Sequence, residues 1–277
     1  MKKLTYGMMF LLGIILFTTC QNDSSTDPVS GEQGTLLIKI TDAPFPLSMV
    51  EEANVTINNI EIRRAQEYDE FPFITVFDDL TTINLIHLRN EITEDLAEIA
   101  IPVGDYNLVR LYIAEASIVL TDGREFQLKV PSGAETGIKI FVDPAINVES
   151  GLTSELLLDF DLSQSFVVQG NPFTPAGIQG FIFKPVIRAV NITKAGRIVG
   201  TVTDTEAAAV AEAHVWVEQD SIVSSTFADS LGVYGLIGLP AGHYSAYATQ
   251  TGYDTVAVSD VNVVAGNRTV VDFELTR

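Results

Sequence analysis

Ile101-Pro102-Val103-Gly104-Asp105-Tyr106-Asn107-Leu108-Val109-Arg110-Leu111-Tyr112-Ile113-Ala114 reads as a turn that feeds a strand. From Leu108 onward one face carries Leu108, Arg110 and Tyr112 and the other Val109, Leu111 and Ile113, the period of two that suits a pleated strand. Downstream, Ile118 to Leu128 places Asp122-Gly123 between two apolar runs, and Asp-Gly readily takes the positive backbone angles of a tight turn. The stretch therefore predicts turn, strand and hairpin, and an all-β fold.

The same pattern extends in both directions. Upstream, Thr35 to Thr41 is strand-like and breaks at Asp42-Ala43-Pro44, Val50 to Arg63 alternates through Val55 and Ile57, and Phe73 to Phe77 is a short strand. Thr82 to Ile99 is open: Asn84 to Asn90 can pair with a strand, whereas Thr93 to Ala100 can form one or two helical turns. Downstream, Gly137 to Phe141, Glu155 to Phe160 and Phe181 to Val190 add strands, with Pro185 favouring an edge or bulge. Residues 34–193 are thus expected to form an antiparallel β-sandwich-like domain with a minor helix. Lys194-Ala195-Gly196-Arg197 marks the expected boundary, and residues 196–277 hold about seven short alternating strands, a small antiparallel sandwich.

The N-terminus reads differently. Lys2 and Lys3 precede an apolar run from Met8 to Phe17, which ends at Phe17-Thr18-Thr19-Cys20. The run is shorter than the roughly 20 residues a lasting membrane span needs. It resembles a bacterial lipoprotein signal, which implies a leader over residues 1–19, acylation of Cys20 by palmitate-type chains, and a flexible tether over residues 20–33. An ordinary secretory signal that leaves a plain thiol is the rival reading. With one cysteine in the chain, no internal disulfide framework is available, and core packing must carry stability.

Charge limits the partners. Sixteen basic and 36 acidic residues among 277 give a formal charge of -20, which repels nucleic-acid phosphates and anionic headgroups alike. Membrane attachment is therefore expected through lipid, in the cell envelope and at the outer membrane of a Gram-negative bacterium. The 47% hydrophobic content, in short runs between turn residues, argues for folded domains rather than an acidic tail.

Two segments carry family resemblances. Gly200-Thr201-Val202-Thr203-Asp204, Ala213-His214-Val215-Trp216-Val217, Ala228 to Tyr234, Gly238-Leu239-Pro240-Ala241-Gly242-His243-Tyr244 and Gly252-Tyr253 resemble the carboxypeptidase regulatory-like domain. That resemblance implies a transthyretin-like β-sandwich and a non-catalytic companion role. Gly34 with Leu36 to Pro44, the Val55-Thr56-Ile57 strand, Ile101 to Tyr106 leading into Val109-Arg110-Leu111, Asp159 to Leu162 and Phe183 to Ile187 resemble the DUF4382 type of bacterial surface-lipoprotein domain. It implies an envelope or extracellular setting and no transferable residue roles.

Candidate chemistry is sparse. His87, His214 and His243 lie in separate segments without metal spacing, and there is no Gly-x-Ser-x-Gly elbow or phosphate-cradling glycine loop. His214 reads as a wet or hydrogen-bonded structural histidine. Asp42, Asp143, Asp159 and Asp161 lie near strand ends and are candidate calcium ligands, or else solubility charges and turn caps. Tyr68, Phe71, Phe73, Phe166 and Phe173 are candidate contacts for a glycan, peptide or protein, or else pins for long loops. The expectation is a non-catalytic binding or assembly module of undetermined oligomeric state, with a structural spacer and a carboxylate-dependent glycoside hydrolase as alternatives.

Overall fold

In β1 (Gln33–Ala43), Leu36, Ile38 and Ile40 are fully buried while Leu37 and Lys39 between them are half-buried, so the strand turns one face inward. The structure, a computed structural model, describes residues 32–43, 49–65, 72–130, 136–172 and 174–277. Cys20, Tyr68, Phe71 and Phe173 lie outside the described residues.

The first lobe continues with β2 (Val50–Arg64), β3 (Ile74–Phe77), β4 (Thr81–Asn84), β5 (Glu94–Pro102), β6 (Gly104–Leu120), β7 (Glu125–Leu128), β8 (Ile138–Val148) and β9 (Thr153–Asp161). One helical turn, α1 (Leu162–Ser165), leads to β10 (Phe166–Gly170), β11 (Ile178–Phe183) and β12 (Ile187–Asn191). Strands β3-β2-β6-β8-β12-β9-β1-β5 form one path, with β4 on β2 and β7 on β6, while β10 and β11 make a separate ribbon. Strand β8 joins the two halves: it pairs with β6 along Ile138–Phe141 and Ile146–Val148, and touches β12 between them at Val142. Inward residues of β1, β2, β6 and β9 meet in a single core that includes Ile38, Ile57, Leu111 and Phe160. The sandwich is mostly antiparallel, but β1 with β9 and β12 with β8 run parallel, pairings between distant segments that local patterns do not encode.

Two local expectations change. The segment from Thr93 to Ala100 is no helix: from Glu94 onward it belongs to edge strand β5, which pairs with β1 from Glu94 to Pro102. Its Glu, Ala and Leu content suits a helix, but pairing with β1 overrides that weak preference. The segment after Asn84 is no strand, because the Asn84 side chain accepts from Ile86 N–H at 3.3 Å and Ala53 N–H at 3.2 Å, closing a 3₁₀ turn over Leu85–His87. The expected hairpin is present, with Gly123 at φ +84° and β6 paired to β7 from Ala116 to Val119.

The second lobe comprises β13 (Ala195–Asp204), β14 (His214–Glu218), β15 (Ile222–Phe227), β16 (Val233–Pro240), β17 (Gly242–Thr249), β18 (Val256–Val263), β19 (Arg268–Val270) and β20 (Phe273–Leu275). One sheet centres on β13, flanked by β16 and by β19 and β20; the other runs β15-β14-β17-β18. Val215, Val217, Tyr244, Ala246, Leu236 and Phe273 fill the space between them. Both lobes are β-sandwiches, and the chain is all-β.

A shared corner recurs in the two lobes. Tyr106 O–H donates to Pro102 C=O at 2.7 Å where β5 passes into β6, and Tyr244 O–H donates to Pro240 C=O at 2.7 Å where β16 passes into β17. Each case is a Pro-x-Gly-x-Tyr run, in which a buried ring brings its hydroxyl back to the carbonyl four residues upstream.

The lobes meet without a linker. A 3₁₀ turn at Ile192–Lys194 leads directly into β13, and Glu32–Arg277 forms one compact unit. On β9, Leu156 and Leu158 enter the first core, while Leu157, facing the other way, is equally buried against Val190, Ala195, Ile192 and Ile237. Burial on both faces explains the uninterrupted Leu156-Leu157-Leu158 run. Polar contacts ring this patch: Arg89 pairs with Glu212 at 3.2 Å, Arg197 with Glu91 at 3.3 Å, and Arg188 donates to Gly238 C=O at 3.1 Å. Among the described residues no helix is long and apolar enough to cross a membrane.

Candidate functional site

Three of the four predicted carboxylates gather at one end of β1 and β9. These strands run parallel in the register Thr41 with Asp159, Asp42 with Phe160, and Ala43 with Asp161. Asp42 is 6% exposed, and neither carboxylate oxygen has a hydrogen bond of ordinary geometry. Burial pushes its acid well above the usual carboxylate range and the nearby Asp159 adds to this, while the Leu162 N–H and Arg89 oppose it more weakly. Asp159 is also raised by burial, against the opposing charge of Arg188, which binds its Oδ2. Asp161 caps α1: its Oδ1 accepts from Gln164 N–H at 3.1 Å and from the Ser163 hydroxyl at 2.6 Å. Asp143 stands apart, exposed on β8. Among the described residues no group of three or more His, Cys, Asp or Glu is arranged to hold a metal ion.

The aromatic candidates are not gathered in the same way. Phe73 lies under the Arg110 guanidinium, 3.7 Å from the ring centroid. Phe166 is 1% exposed and packs on Phe183 with centroids 4.9 Å apart, which is the pinning alternative rather than an exposed ligand contact.

Beside Asp161 the two lobes enclose a cleft of about 530 Å³. Asp161, Ser163 and Gln164 of the α1 turn form one wall, and Ser221, Ile222, Ser225, His214 and Phe227 of the second lobe form the other. From His214 an aromatic row continues across the sheet: His214 stacks on Trp216 at 5.0 Å, and Trp216 on Tyr247 at 5.1 Å with the rings 10° from parallel. Register produces the row, since Trp216 faces Tyr247 and His214 faces Phe227 on adjacent antiparallel strands. Burial within it holds the His214 imidazole below its ordinary range. Sequence reasoning had His214 as a structural residue and missed the row. The signal was the alternation of His214 and Trp216 with buried Val215 and Val217, which turns both rings outward, but their partners on β15 and β17 depend on pairing.

Against Asp42 and Asp159 lies a smaller polar cavity bordered by Asn90, Ser224 and Thr226; Ser225 borders both spaces. Another hollow of about 310 Å³ at the lobe junction is lined by Lys39, Glu91 and Arg197. Three of its charged side chains are paired, Lys39 with Asp95 at 2.9 Å and Arg197 with Glu91.

No curated protein matches the chain. Among solved structures it aligns with the Bacillus anthracis TIE protein at 12% identity and a TM-score of 0.25, over 88% of this chain and 34% of that one, about a third of that protein's length. The shaft pilin SpaA of Lactobacillus rhamnosus GG aligns at 10% identity and a TM-score of 0.24, over 88% and 98% of the two chains. GBS52, the minor pilin of Streptococcus agalactiae, aligns at 11% identity and a TM-score of 0.23, over 88% and 95%. Residues 197–276 match the carboxypeptidase regulatory-like domain. Residues 33–185, more than half of the sequence, match the family described as domain of unknown function DUF4382, and the chain belongs to that family.

Proposed function

We propose that the chain is a non-catalytic binding module of the cell envelope, held to the outer membrane by lipid on Cys20, and that it takes a hydroxyl-rich ligand, a glycan, in the cleft between α1 and β15. The cleft carries this reading. It sets hydroxyl, amide and carboxylate groups from Asp161, Ser163, Gln164, Ser221 and Ser225 opposite the rings of His214 and Phe227. Polar groups that exchange hydrogen bonds with sugar hydroxyls, beside aromatic surface for the apolar face of the ring, suit a neutral polyol. The formal charge of -20 disfavours a polyanion.

Binding without turnover fits the chemistry of the walls. Asp161 is the one carboxylate lining the cleft among the described residues, whereas glycoside hydrolysis uses two acids across the bond. The anchor rests on the leader pattern, and mass spectrometry of the N-terminal peptide from the native host tests it: an acylated Cys20 is expected, and an unmodified thiol overturns it. For the ligand, a screen of neutral and acidic oligosaccharides on the full chain should give a binder that is recovered uncleaved. Phe227→Ala should then weaken it at least tenfold, about 1.4 kcal/mol, with an unchanged circular dichroism spectrum. Absence of any binder, or equal affinity for the variant, leaves a spacer role, which the linkerless junction also suits.

A further inference from the structure

We infer that the hollow of about 310 Å³ at the lobe junction is a binding site for a small organic cation, a primary ammonium carried on a short hydrocarbon chain. Register builds it. On the parallel pair β1 and β9, Leu37 lies beside Glu155 and Lys39 beside Leu157, and these side chains face away from the core that takes Ile38, Leu156 and Leu158. The second lobe closes over them with the start of β13, the end of β16 and the turn at Gly266-Asn267. Leu157, Ile192, Ala195 and Ile237 give the hollow an apolar floor. Arg197 and Asn267, both exposed, mark its mouth. It shares no lining residue with the cleft beside Asp161.

Charge selects the occupant. Lys39 is answered by Asp95 at 2.9 Å and Arg197 by Glu91 at 3.3 Å, whereas Glu155 lies in the field of Lys39 but is held by no ion pair or hydrogen bond among the described residues. The surplus at the rim is thus one half-buried carboxylate. Thr93 and Asn267, whose side chains likewise make no hydrogen bond among the described residues, add oxygen acceptors for the other protons of an ammonium group. A metal ion finds too few oxygens here and gains nothing from the apolar floor. An ammonium on a hydrocarbon uses both parts of the site, its head on Glu155 and its chain over Leu157 and Ile237. The volume, equal to about ten waters in the liquid, suits a chain of a few carbons rather than a drug-sized molecule. The formal charge of -20 draws such a cation in and turns an anion of the same size away.

The test titrates the isotope-labelled full chain with n-hexylammonium chloride and follows its backbone amides by NMR. Saturable shifts are expected at Ala195, Gly196, Gly238 and Gly266, with hexan-1-ol and hexanoate binding at least tenfold more weakly. The n-butylammonium ion, shorter by two methylenes, should bind roughly fifteenfold more weakly. Glu155→Gln should lose at least tenfold in affinity for n-hexylammonium, while Asp143→Asn, an equal change in net charge on the exposed part of β8, should bind as the unaltered chain does. The inference is overturned if the lining amides do not respond, if the alcohol, the carboxylate or the shorter chain binds as tightly, or if Glu155→Gln and Asp143→Asn behave alike. Should Glu155→Gln fail to fold, the three head groups compared on the unaltered chain decide the matter.

Discussion

His214 carries a pH dependence that follows from its place in the aromatic row. Stacked on Trp216 and held by burial below its ordinary pKa of 6.5, it takes up a proton less readily in the folded chain than in the unfolded one. As pH falls through 6.5 the unfolded chain binds that proton first, so this contribution to stability is intact at neutral pH and is lost progressively down to the folded pKa. Urea unfolding of the native chain and of His214→Phe, measured across this window, should show a steeper loss on acidification for the native chain. Equal slopes would mean that the ring titrates freely. At this scale the sequence was partly legible. Asp161 as a cap followed from its strand-end position, but Asp42 looked like any other strand-end acid, because its burial comes from β9 and from a lobe beginning more than a hundred residues later.

Among the elements, the two Pro-x-Gly-x-Tyr corners do equivalent work. Tyr106 and Tyr244 are each about 2% exposed, and each satisfies its hydroxyl on a proline carbonyl at the close of the preceding strand. Tyr106→Phe and Tyr244→Phe should each cost about 1 kcal/mol, the net worth of a neutral hydrogen bond, plus the penalty of a bared carbonyl. Denaturant midpoints should fall with unchanged slopes; a loss at only one corner would show that the other carbonyl finds water. These corners, the Asp122-Gly123 hairpin and most strands were readable because their signals are local. The edge strand β5 was not, since Glu94, Asp95, Leu96 and Ala97 suit a helix until β1 offers them a ladder.

For the whole molecule, the apolar patch of Leu157, Val190 and Ala195 decides whether two sandwiches behave as one body. A Cβ on Gly238 would lie 3.0 Å from Leu157 Cδ2, and its φ of +67° is unfavourable for a branched side chain. Gly238→Val should therefore loosen the junction, and Leu157→Ala should cost about 2–5 kcal/mol. Calorimetry should show one transition for the native chain and two for Gly238→Val, with limited proteolysis releasing separate lobes from the variant. A single unchanged transition would place the coupling in the ion pairs instead. The strand from Glu155 to Phe160 was legible, but the burial of Leu157 on its second face was not, because Val190, Ala195 and Ile237 reach it from distant segments.

That cover also arrives late. Leu157 and Val190 leave the ribosome well before Ile237 and Gly238, and β13 gains its neighbours β16, β19 and β20 only as Val233 to Leu275 are made. A nascent chain thus completes most of its first sandwich with an oily flank bare. During that interval the flank is a point at which a holding chaperone, or another unfinished copy, would find purchase.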